Sequence, residues 1–236
     1  MTRSVLAHLA PIPLDRDDET NHKDTLGLGP QFFRQDDKAF MKICFLDIET
    51  VPTDRSLEEN GLLEAQIQLN EADLIKKLSL SAATAKILCL CYAIEPPLEA
   101  EVQVLEGEET EIIKNFWELA VDCNLFVGHN ILDFDLRFIY QRSIIHQIKP
   151  SRDLPFARFR RAPIFDTMHE WSKWGREHAS LDLLSKALSL PSPKQSLDGS
   201  KVYTCYRAGR IADIVNYCKC DVNSVRSVYR RLTFTK

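Results

Sequence analysis

The chain has 236 residues, 44% of them hydrophobic and 27% charged, with a net charge of −4. That balance belongs to a globular protein of one domain, or of a domain with an appendage. Eight Gly and eleven Pro exclude collagen-like and low-complexity architecture, and no run reaches the roughly 18 apolar residues of a membrane span.

The apolar start at 5–10 is too short for a signal-peptide core and Pro11 follows it, so a cytoplasmic protein that meets no membrane is expected. Residues 1–38 mix Pro11, Pro13, Gly27, Gly29 and Pro30 with an acidic run and show no lasting apolar period. This is the pattern of a flexible arm before a single domain at 39–236. Residues 41–48 (MKICFLDI) read as a buried strand. A polar, helical-looking insertion at 54–81 follows, then strands at 86–94 and 102–105. Ile112, Ile113, Phe116, Trp117 and Ala120 recur at helical spacing over 108–121. A short strand at 125–127 runs into Gly128-His129-Asn130 and a second helix over 133–146. A strand at Ile164-Phe165, a helix at 180–188 with Ser180 as its N-cap, and a long helix from Gly209 to about Leu232 complete the pattern. Strands with interspersed helices and a helical C-terminal half predict an α/β domain with a mixed sheet.

Seven Cys, including the CxC pairs Cys89/Cys91 and Cys218/Cys220, fit free thiols in a reducing compartment better than disulfides or a zinc site. Charge is unevenly spread. Residues 201–236 hold eight Lys/Arg against Asp213 and Asp221, and 152–161 hold four Arg interleaved with Phe156 and Phe159. Arginine among aromatics can track a phosphate backbone and stack on bases; a solvated helix face and loop have the same composition.

Three segments carry carboxylates. Asp47 and Glu49 end the first strand two residues apart, so both point to one face while Leu46 and Ile48 point to the other. Two adjacent anions at the end of a buried strand call for a cation, and hard oxygen donors suit Mg²⁺ or Mn²⁺. Such a pair also arises where a strand merely meets solvent. Asp135 stands in the first turn of the helix after Gly128-His129-Asn130, facing that pair or complementing the helix dipole; Asn130 or Asp133 can cap the same helix. Tyr217 and Asp221 lie one turn apart on the last helix, as metal ligand and water-orienting phenol or as a packed Tyr beside an exposed Asp.

Taken in order, DxE on a strand, Asn130-x(3)-Phe134-Asp135 opening a helix and Tyr217-x(3)-Asp221 on a late helix resemble the DEDD exonuclease superfamily. Tyr four residues before the last Asp resembles its DEDDy branch; Asn216 stands where the His branch has its histidine. The sequence is most similar to stand-alone bacterial predicted exonucleases resembling the proofreading domain of family B DNA polymerases. The segments 126–130, Phe165-Asp166-Thr167 and 180–184 support the likeness, as do Lys194 and Gly199.

The resemblance implies a ribonuclease H-like mixed β-sheet flanked by α-helices. It implies two divalent cations, Mg²⁺ or Mn²⁺, on Asp47, Glu49, Asp135 and Asp221, with Asp47 bridging, and Tyr217 aiming the attacking water. The activity implied is 3′–5′ hydrolysis of single-stranded nucleic acid, DNA ahead of RNA. Asn130 and His129 are candidate substrate contacts, His129 being equally a hydrogen-bonded turn residue; Arg158, Arg160 and Arg161 are candidate phosphate contacts. The alternatives are a catalytically silent nucleic-acid-binding module on the same fold, an endonuclease, and a phosphodiesterase of short oligonucleotides.

Overall fold

The apolar run after Met41 forms a strand, β1 (Ile43–Pro52), that is four residues longer at its C-terminal end than its apolar core predicts. The strand continues past Ile48 because its partner β2 (Ala85–Glu95) runs antiparallel beside it as far as Pro52. The computed structural model describes residues 41–62, 69–191 and 199–235. The arm expected at 1–38, part of the 54–81 insertion and Lys194 lie outside these residues.

Five strands form one mixed sheet. β3 (Gln103–Glu106) extends it antiparallel to β2, while β4 (Leu125–Gly128) and β5 (Ile164–Asp166) run parallel to β1 and to each other, in the order β3-β2-β1-β4-β5. This is the ribonuclease H-like α/β architecture that the family resemblance implies.

Each face of the sheet buries its own core. Leu46, Ile48, Leu90 and Phe126 meet Ile112, Phe116 and Trp117 of α3 (Glu109–Ala120) and Leu136 and Ile139 of α4 (Asp135–Ile145). On the opposite face, Phe45, Cys89, Cys91 and Val127 meet Ile214, Cys218, Val222 and Val225 of α8 (Ile211–Thr233). Alternation along β1 therefore sends Phe45, Asp47 and Glu49 toward α8. The register of β1 on β2 shifts between Glu49 and Thr50. Such bulges bend a strand and re-aim the side chain beside them.

The insertion forms α1 (Asp54–Glu59), capped by the Thr53 hydroxyl accepting from Ser56 N–H, and α2 (Leu69–Ser79), which buries Ile75 and Leu78. Ser180 caps α6 (Leu181–Ala187) as expected, accepting from Leu183 N–H. Two helices escape the sequence pattern: α5 (Thr167–Ser172) and α7 (Val202–Arg207), each six residues and too short to show a period. α4 starts at Asp135, not 133, and neither Asn130 nor Asp133 caps it. Asn130 takes the left-handed conformation, φ 63°, and its carbonyl accepts from Asp133 and Phe134 N–H, making a separate turn before the helix. All seven cysteines are free thiols. Among the described residues no helix is long and apolar enough to cross a membrane.

Candidate active site

Strand β1 and helix α8 bring the first and last acidic segments together. One carboxylate oxygen from each of Asp47, Glu49 and Asp221 lies within 4.8 Å of the other two. Among the described residues no cation pairs with Asp47 or Glu49, and Asp47 Oδ2 is buried with no hydrogen-bond partner. Burial, then the charges of Asp221, Asp135 and Glu49, push the Asp47 carboxyl well above its usual pKa; Glu49 is raised by burial and by Cys89, Asp221 and Asp135.

Asp135 comes from a third direction. It lies at the N-terminus of α4, buried, with Oδ1 accepting from Ile48 N–H at 3.1 Å, between the two strand carboxylates. Burial raises its pKa to about 7, with Asp166 and Asp221 acting in the same direction. It is not part of the three-residue cluster, yet its charge acts on both Asp47 and Glu49.

Tyr217, one turn before Asp221, hydrogen-bonds to it. Burial and the charges of Asp221, Glu49 and Asp47 raise the phenol far above its usual pKa, so it stays protonated. A half-buried carboxylate cluster that includes a buried oxygen without a hydrogen-bond partner, Asp47 Oδ2, fits a hard divalent cation, since adjacent desolvated anions are costly and carboxylate oxygens suit Mg²⁺ or Mn²⁺ better than soft metals. Beside Glu49 opens a cleft of about 630 Å³, bounded by Thr50, Phe134, Ile75, Lys76 and Tyr203 among others.

The loop carrying Asp135 is held by Asp166 at the end of β5. Asp166 accepts from Asn130 N–H and Leu132 N–H, both at 3.0 Å, and from Met168 and His169 N–H at the start of α5. Its N-cap role is readable from an Asp before a short polar segment; its grip on residues 36 and 34 positions earlier is not. Gly128 supports the same turn, because a Cβ there would lie 2.7 Å from Ile131 Cβ.

The expected substrate contacts divide. His129 donates Nε2–H to Ala179 O at 2.9 Å and its Nδ1 meets Thr167 Oγ1 at 3.0 Å. Burial lowers its pKa, so it is a neutral turn residue with neither nitrogen left for substrate. Arg161 is half-buried and forks through two of its nitrogens onto the buried Glu170, which Lys173 also meets. Asn130 is half-buried in the loop before α4, Arg160 is exposed, and Arg158 is exposed 3.7 Å from Asp133.

Fold and site define a ribonuclease H-like protein with an acidic centre. A comparison with solved structures gives the family B DNA polymerase of the hyperthermophilic archaeon Pyrobaculum calidifontis, at TM-score 0.59 and 14% identity. The match covers 82% of this chain and 24% of the polymerase, so the chain spans about a quarter of it, and the likeness is one of fold. The chain belongs to the family of predicted 3′–5′ exonucleases related to the exonuclease domain of PolB, whose model matches residues 84–236. Asp135, Tyr217 and Asp221 lie inside the matched span, whereas Asp47 and Glu49 precede it. No curated protein matches the chain.

Proposed function

We propose that the chain is a metal-dependent 3′–5′ exonuclease acting on single-stranded ends. Asp47, Glu49, Asp135 and Asp221 would hold two divalent cations, Mg²⁺ or Mn²⁺, and Tyr217 would be the remaining catalytic residue. The observation that carries this reading is the convergence of Asp47, Glu49 and Asp221 oxygens within 4.8 Å from segments far apart in sequence.

The chemistry needs what these residues provide. Attack on a phosphodiester brings an anionic nucleophile to an anionic centre, so charge must be neutralised and the attacking water aimed. Cations held by these carboxylates would make a nucleophile available near neutral pH and would stabilise the departing 3′ oxygen. The chain's own contribution is positional. Ile48 N–H fixes Asp135, β1 fixes Asp47 and Glu49, and the protonated Tyr217, hydrogen-bonded to Asp221, offers its oxygen lone pair to a water. Kinship with a polymerase's exonuclease domain favours DNA over RNA.

Digestion of matched 3′- and 5′-labelled strands tests the reading. With Mg²⁺ or Mn²⁺, mononucleotides leave from the 3′ end, a circular single strand stays whole, and chelator stops release. Cutting of the circle would establish an endonuclease. Binding without release would establish a silent module.

A further inference from the structure

Beyond the carboxylates, three rings are linked in series to Asp133. His169 donates Nε2–H to Asp133 Oδ2 at 2.9 Å, Trp174 lies flat on His169 with centroids 4.6 Å apart and planes at 5°, and Phe159 leans on Trp174 with centroids 5.1 Å apart and planes tilted by 48°. The pile ends in solvent, because Phe159 is 75% exposed. Phe159 and Trp174 both take the left-handed backbone conformation, each at φ 63°. Bulky residues rarely adopt it, and strain of this kind gathers at ligand clamps.

Cations flank the pile. Arg158 and Arg137 each place a guanidinium nitrogen 3.7 Å from Asp133 Oδ1, with side chains 64% and 42% exposed. Arg137 also covers the Phe156 ring at 5.1 Å from its centroid. Asp133 is two residues from Asp135, so the ring cluster is tied to the chain segment that carries one of the candidate site's carboxylates. An exposed aromatic edged by two arginines does not serve a hydrophobic core, and it matches the two chemistries of a single strand: flat bases and a phosphate chain.

Resting on the exonuclease reading, we propose that Phe159, backed by Trp174 and His169, is a stacking platform for an unpaired base of the strand entering the site. Arg158 meets the adjoining phosphate. The base seats on the exposed ring of Phe159, which Trp174 supports from behind. A duplex end, whose bases are already stacked on one another, gains nothing there.

The test is binding of a 5′-labelled 12-nucleotide single strand to the full chain in chelator, read by anisotropy. Phe159→Ala is expected to weaken binding about tenfold, within the range found when a stacking aromatic is removed; Phe159→Trp restores it. On an abasic strand of equal length and charge, Phe159→Ala binds like the wild type. Arg158→Ala lowers the slope of log K against log salt by about 0.7, one single-strand phosphate contact. Equal affinity of wild type and Phe159→Ala for the normal strand would overturn the platform, and so would an equal loss on the abasic strand. Turnover of the same strand with Mg²⁺ separates the two claims. A wild type that binds through Phe159 but releases no nucleotide keeps the platform and refutes the exonuclease.

Discussion

Asp47 is half-buried and feels the charge of three neighbouring carboxylates, and that repulsion has a measurable sign. An ordinary aspartyl group titrates near pH 4 in the unfolded chain, whereas folded Asp135 holds its proton to about 7. Between those limits the folded protein binds more protons, so its stability falls as pH rises. Thermal melting in chelator should show this contribution present at pH 4 and lost by pH 8, and Asp47→Asn should flatten the fall by removing one of the repelling charges. Parallel wild-type and variant curves would contradict it. The same substitution should lower turnover on the order of 10²-fold or more, as loss of a positioned catalytic group does. A variant both more stable without metal and inactive with it separates a built site from ordinary packing.

At the scale of elements, one ion pair ties three of them together. Glu109 at the start of α3 accepts from Ile87 N–H of β2 at 2.7 Å, pairs with Arg142 of α4 at 2.6 Å, and meets His146 at 2.7 Å. Burial lifts its carboxyl, but the hydrogen bonds from Arg142, Ile87 and His146 outweigh this and leave its pKa below the usual value. Its contribution is therefore present above the ordinary carboxylate range and is lost as pH falls through the depressed folded value. Glu109→Ala should cost about 3–5 kcal/mol at pH 7 by stranding Arg142, with the difference from wild type shrinking toward pH 3. Urea denaturation across that range checks it; a constant difference would contradict the pairing. The Asp135 loop rests on Gly128 in a similar way. Gly128→Ala forces Ile131 aside and should cost about 1–3 kcal/mol as an overpacked site, while turnover falls with the displaced loop. Unchanged melting would show that the turn yields freely.

For the whole molecule, what a sequence displays depends on how far its information must travel. Both faces of β1 are legible because a strand's period is two residues, and α3 and α8 because their apolar spacing is long enough to count. The meeting of Asp47 with Asp221 came from the order of motifs and not from any local pattern. Residues read singly fared differently. His129 and Arg161 have the right types for substrate contact, but their partners Ala179, Thr167 and Glu170 lie on later elements that no local rule couples to them. Asp166 shows the converse, since its cap is local and its hold on Asn130 and Leu132 is not.

A crystal grown with Mn²⁺ and examined by anomalous scattering shows whether the three carboxylates hold a cation. A manganese peak is expected among the carboxylates of Asp47, Glu49 and Asp221, and its loss in Asp221→Asn. Manganese bound elsewhere, with no peak among those three side chains, would contradict it.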